Sequence, residues 1–377
     1  MERERHGVFQ DETLSPFSRG DAEARRILAL LILAACAEVP VPPVVVRDSL
    51  GITIIENNEG AWAEGTGWRI DSLPSLTMLG AGETRPRVAG AARLSDGRIV
   101  VVDSVSRELR FHDGTSGVLL GRAGSPGRGP GQFSAPGDLH VGAGDTLYVW
   151  DNPWRGLVVF DAMGTHVRTE RVGRAERVRN ELFAWGELRP PLLGSPRSLI
   201  ENGLFEAADS VSGFAVVARL RLEFDRTDTL VTFVTSPFTH LGDRVVIATG
   251  AHEEETFVGR VRTREFLRFE GVHLRRIVRT SAQPLPFESA EAGEEVETRP
   301  LYTSLFADRT GAVWMRLHGR NGDGDPWIIF DDDGREMGEL LLPSGFEPMD
   351  AGPDWLLGVD RDAGGAERVM LLRVRRS

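Results

Sequence analysis

Side chains that could hold a ligand recur at the turns of this chain: Trp154 with Arg155, His318 with Arg320, then Trp327 and Asp360. Indole rings beside guanidiniums and carboxylates suit recognition of a peptide, a sugar or a cationic ligand. One turn, Asn321-Gly322-Asp323-Gly324-Asp325-Pro326, spaces three oxygen side chains at alternate positions, as a calcium loop does. Pro326 stands where such a loop needs glycine, and Asp332 where its bidentate Glu belongs. A solvated hairpin is therefore expected, with calcium on Asn321, Asp323 and Asp325 as the competing reading and no other cofactor. His140 and His240 are the histidines assignable to inner strands, and they fall out of register. With no nucleophile motif and no metal quartet, no catalytic residue is assigned.

The run from Gly121 to Phe133, Gly-Arg-Ala-Gly-Ser-Pro-Gly-Arg-Gly-Pro-Gly-Gln-Phe, offers successive backbone amides that could cradle an anion. A phosphate loop also needs a helix N-terminus behind it and usually a lysine. Here Phe133 leads into a strand, and all 44 basic residues are arginine. The run reads as a linker.

The elements that must position these side chains repeat. A strand ending in Asp, a short turn with Arg, a strand ending in Phe and a further apolar residue appear as Asp103, Arg107, Phe111, Val118, and again as Asp151, Arg155, Phe160, Val167. The second copy has one extra residue before Phe, which suggests a bulge. Fainter copies run from Phe224 to Val231 and from Phe330 to Met337. Units repeated roughly every 45 to 60 residues cannot bury their own apolar faces and must pack on one another. Asp103 and Asp151 read as turn formers, with Arg107 and Arg155 pairing across the hairpin.

Strand pairs place blades at 88–122, 136–172, 198–235, 238–281, 301–343 and 346–376. The expectation is an all-β, six-bladed β-propeller over 46–377, with the last blade short of a strand and completed from the N-terminal side near Leu76 to Leu79. Residues 173–197 read as an insertion, and Glu288 to Glu297 as a short helix. Trp150, Trp314 and Trp355, inside strands, are expected in the core. Propeller topology would collect Trp154, Arg155, His318, Arg320, Trp327 and Asp360 on one face.

A net charge of -12 argues against nucleic acid as a partner. The lone cysteine, Cys36, follows Arg25, Arg26 and the apolar run Ile27 to Ala35, too short to span a bilayer but matched to a secretory signal. Residues 1–35 are thus expected to be a leader and signal peptide, and 36–45 a lipidated Cys36 with a Pro-rich tether. Leu33-Ala34-Ala35-Cys36 resembles the lipobox of bacterial lipoproteins, which implies a cell-envelope, membrane-anchored protein.

The Gly121 to Phe133 run resembles the inter-blade linker of NHL-type propellers. Arg47-Asp48-Ser49-Leu50-Gly51-Ile52-Thr53, Leu94-Ser95-Asp96-Gly97-Arg98 and Leu357-Gly358-Val359-Asp360-Arg361-Asp362 are similar to bacterial six-bladed β-propeller lipoproteins. That resemblance implies fold and location. The function expected is non-catalytic binding of a protein or small ligand; the alternative is a metal-dependent hydrolase or lyase with its site over the central channel, as in gluconolactonase-like propellers.

Overall fold

A computed structural model describes residues 42–63, 66–71, 73–79, 86–151, 156–171, 186–188, 192–195, 198–206, 213–221, 226–235, 244–250, 254–284, 299–319, 324–362 and 364–376. Its fold is an all-β propeller. A hairpin, β1 (Val44–Ser49) and β2 (Ile52–Asn57), and two short strands, β3 (Arg69–Ile70) and β4 (Leu76–Leu79), precede the sheets. The first sheet is the meander β5 (Val88–Arg93), β6 (Ile99–Asp103), β7 (Glu108–His112) and β8 (Leu119–Ala123), and the second is β9 (Pro136–Val141), β10 (Leu147–Asp151), β11 (Gly156–Phe160) and β12 (His166–Arg171). A differently built sheet follows: β13 (Gly186–Leu188), β14 (Leu192–Ser195), β15 (Ser198–Glu206), β16 (Gly213–Arg221) and β17 (Arg226–Thr235). Next come β18 (Val245–Thr249), β19 (Glu255–Arg260), β20 (Glu265–Glu270) and β21 (His273–Arg279), then β22 (Tyr302–Ala307), β23 (Val313–Leu317), β24 (Asp325–Phe330) and β25 (Glu336–Leu342). The last sheet holds β26 (Glu347–Ala351), β27 (Trp355–Arg361) and β28 (Glu367–Arg375).

Five of these sheets are regular blades, which corrects the expected six. The expected third blade, 198–235, yields three long strands of 9, 9 and 10 residues instead of four short ones, and both β13 and β14 pair with β15. The cause is local: the segment extends β15, β16 and β17 where the other sheets turn. The stretch expected as an insertion, 173–197, thus contributes two strands. The helix expected over Glu288 to Glu297 lies outside the described residues.

Closure follows the expectation. Strand β4 pairs antiparallel with β28, Leu76 opposite Leu371 and Leu79 opposite Arg368, and so supplies the strand the last sheet lacks. Met78 and Leu76 are buried in one apolar core with Val359 and Leu371 of that sheet and with Val88, Ile99 and Val101 of the first. The Glu367 carboxylate adds a polar stitch, accepting the Val88 amide at 2.6 Å.

The start of the chain does two further jobs. Strand β2 lies parallel to β21 and widens that blade, and Arg279 joins Glu56 at 2.6 Å to Glu265 at 3.0 Å. Asn57, 1 % exposed, donates to the carbonyls of Arg279 and Gly334 and accepts the Glu336 amide, tying hairpin, β21 and β25 at one point. Beyond it, Trp62 packs against Trp68 and Trp68 against Trp314 in tilted pairs, both at 5.8 Å between centroids, while the Arg376 guanidinium covers Trp68 at 3.9 Å.

The repeat carries an offset that determines the first core. Asp103 faces Glu108 and Asp151 faces Gly156 with no shift, so His112, not Phe111, is the register equivalent of Phe160. The extra residue is therefore no bulge between β10 and β11. A one-residue offset reverses the face, so Phe111 and Phe160 point toward each other into the shared core of the first two sheets. Register shifts occur in outer pairs, at Phe111/His112, Val159/Phe160, Arg268/Phe269 and Ile329/Phe330, and also in inner pairs, at Val88/Gly90, Val149/Asp151, Tyr302/Ser304 and Pro348/Asp350. At the second of these turns Gly164 has φ of 83°, and a Cβ there would meet the Phe111 ring at 2.9 Å.

Met78→Ala should lower unfolding free energy by about 2–4 kcal/mol, because the core it leaves is sealed on both sides. Urea melts read this. Asn57→Ala, which strands a buried amide and two carbonyls, should cost about 1–3 kcal/mol, whereas truncating exposed Leu50 at the hairpin tip should change stability little.

Candidate functional site

Of the six residues expected on one face, Trp327, Asp360 and His318 lie among the described residues. Trp327 is 1 % exposed, packed with Trp314, Leu340 and Phe346 between two blades, which removes it from any ligand face. Asp360 is also buried, and Arg368 holds it through Nε at 3.1 Å. His318 is half-buried beyond β23, its amide bound to the Leu301 carbonyl. Trp154, Arg155, Arg320, Asn321, Asp323 and His240 lie outside the described residues. Asp325 serves the scaffold: it pairs with Arg316 at 2.7 Å and accepts the Gly345 amide at 2.9 Å. Arg316 reaches on to Glu347 at 3.2 Å, whose carboxyl burial pushes up against the opposing pull of Arg316 and Arg361.

Asp103 and Asp151 are turn anchors. Asp151 accepts the amides of Ser134 and Ala135, and Asp103 those of Arg87 and Val105, so each binds the incoming linker to its own hairpin. The cross-hairpin partner of Asp103 is Arg110, at 2.8 Å with both side chains buried, and not Arg107. Arg107 is exposed and left-handed, φ 57°, at the corner of the turn. The glycine-rich run is a linker folded on itself: Phe133 is fully buried, its amide donates to the Ser125 carbonyl, and the Gly129 amide goes to the Gln132 side chain.

A more concentrated constellation stands on the opposite face, at hairpins joining first to second strands. Asp350, at the end of β26, accepts Arg309 Nε at 2.8 Å and Nη2 at 2.6 Å, and the Arg93 amide at 2.8 Å. Arg309 also donates to the Arg93 carbonyl at 2.7 Å. Both guanidiniums lie over the indole of Trp355, Arg93 at 5.3 Å and Arg309 at 5.4 Å from the centroid. Trp355, expected in the core, is thus a half-buried platform. His140 on β9 is near enough to feel Arg309; burial, helped by that charge, pushes its imidazole down to about 4. Burial lifts the Asp350 carboxyl, and Arg309 opposes it. Side chains from three blades, with His140 from a fourth strand set at the same end, make a locally cationic cluster in an acidic protein. Sequence reasoning placed His140 on its inner strand; it missed Arg93, Arg309 and Asp350, whose only signal was position at the ends of inner strands. Among the described residues no three His, Cys, Asp or Glu side chains converge as a metal site.

No family model matches the chain, and no curated protein does. Solved structures do. A member of the DUF4221 family from Bacteroides vulgatus aligns with a TM-score of 0.52 at 10% identity, over 82% of this chain and 99% of that one. A putative exported protein from Bacteroides fragilis aligns at 0.44 and 10%, over 82% and 95%. Virginiamycin B lyase from Staphylococcus aureus aligns at 0.42 and 9%, over 81% and 99%. The first likeness shows the β-propeller fold and nothing finer.

His140 makes stability depend on pH. Its folded value lies below the 6.5 of a free imidazole, so the unfolded chain takes up the proton first as pH falls. Stability should therefore drop from pH 6.5 toward pH 4, by at most about 3 kcal/mol for this group. Urea melts at pH 7.5, 5.5 and 4.5 should show that loss reduced in His140→Gln; identical slopes would contradict it.

Proposed function

We propose that this protein is a lipid-anchored, extracytoplasmic β-propeller that binds a ligand or partner without catalysis. The observation that carries the binding reading is the Arg93–Trp355–Arg309 arrangement, a stacked cationic surface at the ends of inner strands. Two guanidiniums against one carboxylate repel a divalent cation, which speaks against metal-assisted hydrolysis or elimination at that end of the propeller. The anchor reading rests on Arg25, Arg26, the apolar run to Ala35 and Cys36.

Metabolic labelling with a clickable palmitate analogue should mark the wild-type protein in the membrane fraction and leave Cys36→Ala unlabelled, since one thiol carries the lipid. An unlabelled wild type retaining residues 1–35 would sink the anchor. For the activity, the purified chain incubated with chromogenic ester and lactone substrates and millimolar calcium, zinc or manganese should give no turnover above buffer. Saturable, metal-dependent turnover would replace binding with catalysis.

A further inference from the structure

Arg309 and Arg93 both lie over one indole, and among the described residues only Arg309 has a carboxylate partner. Arg309 grips both oxygens of Asp350 through Nε and Nη2. The Arg93 guanidinium, half-buried, has the Trp355 ring as its contact and, among the described residues, no carboxylate partner. Its main chain is fixed twice, the amide by Asp350 and the carbonyl by Arg309, so the side chain leaves from a rigid strand end. A guanidinium already stacked and part-desolvated loses little further freedom on accepting a second planar group, and its fork matches carboxylate geometry bidentately. Electrostatics point the same way: with Arg93 and Arg309 positive, Asp350 negative and His140 neutral at pH 7, the cluster keeps a net positive charge.

We infer that Arg93 is the recognition group for a carboxylate-bearing ligand, which it would hold as Arg309 holds Asp350. The ligand carboxylate accepts two hydrogen bonds from Arg93 beside the Trp355 ring; a chain-terminal peptide carboxylate and a small organic acid share this chemistry. Rejection of cations follows from the guanidinium charge, and preference for a planar carboxylate over a tetrahedral anion from the flat face of the Trp355 ring beside it, since the fork itself fits both. This inference rests on the binding reading above, but the two fail on different readouts: that reading fails on turnover, this one on carboxylate-dependent affinity.

The test is calorimetric titration of the full chain at constant ionic strength with N-acetylalanine, its amide, succinate and sulfate. N-acetylalanine or succinate should bind and the amide should not; which of the two binds tighter separates a peptide terminus from a small diacid. Arg93→Gln should raise the half-saturating concentration about tenfold or more, the loss of one charge-assisted pair. Arg93→Lys, a point charge without the fork, should fall between, and Arg275→Gln, which removes an exposed charge on β21, should stay within about twofold. Should Arg93→Gln melt early, the Trp355 indole N–H shift in wild type on adding N-acetylalanine, assigned through Trp355→Phe, reports carboxylate binding at the same ring. No heat and no indole shift with either carboxylate, equal affinity for acid and amide, tighter binding of sulfate, or unchanged affinity in a folded Arg93→Gln would each overturn the inference.

Discussion

Everything in this propeller depends on the pairing of β4 with β28. Among the described residues apolar cores join one sheet to the next, so a sheet on its own would leave apolar surface bare and the first and last must meet. The last sheet brings only three strands from its own segment, and Leu76 to Leu79 supplies the outer one while packing Met78 toward the first blade. Closure by chain from the opposite terminus makes the two ends of the propeller a single cooperative contact. It also removes a free edge that could template aggregation. The Glu367 to Val88 hydrogen bond works at the same seam, fixing where the inner strand of the first blade begins.

The architecture was legible because propeller physics is periodic. Strand ends at Asp103 and Asp151, Asp-Gly turns and the orphan strand near Leu76 all follow from local residue types. The offset between Phe111 and Phe160 was not, since alternation along a strand gives a face only once the pairing register is known. Trp327 was misplaced for a related reason: Asp325 and Pro326 look like turn residues in sequence, whereas the strand already begins at Asp325. The hairpin β1–β2 carries clear strand signals, but its parallel docking on β21 depends on Asn57, Glu56 and Arg279, separated by more than two hundred residues. The build of the 198–235 sheet also stayed hidden, because its strands run past the length at which the other sheets turn.

The candidate site illustrates a different limit. Arg93, Arg309 and Asp350 look like three unrelated surface charges in sequence, and the two cations among them are drawn from a composition in which every basic residue is arginine. Their meaning comes from the hairpins that gather them. Ser95 donates to Asp145 between the first two blades, and Arg376 binds Asp308, Thr310 and the Gly352 carbonyl between the last two, so this rim is a belt of inter-blade hydrogen bonds. Most members of the belt are engaged with one another and serve register.

Arg309 belongs to that belt and Arg93 stands only half within it, which is why the two differ in consequence. Removing Asp350 would leave a guanidinium over Trp355 and an Arg93 amide without its acceptor, a structural loss expected of a buried pair broken on one side. Removing the Arg93 guanidinium breaks no hydrogen bond of the described chain, since its amide and carbonyl make the strand contacts and its side chain makes only the stacking contact. A charged group kept on a rigid platform, and dispensable to the scaffold around it, has its electrostatic energy available for something other than folding. That energy attracts an anion at close range, against the long-range repulsion of a chain of net charge -12.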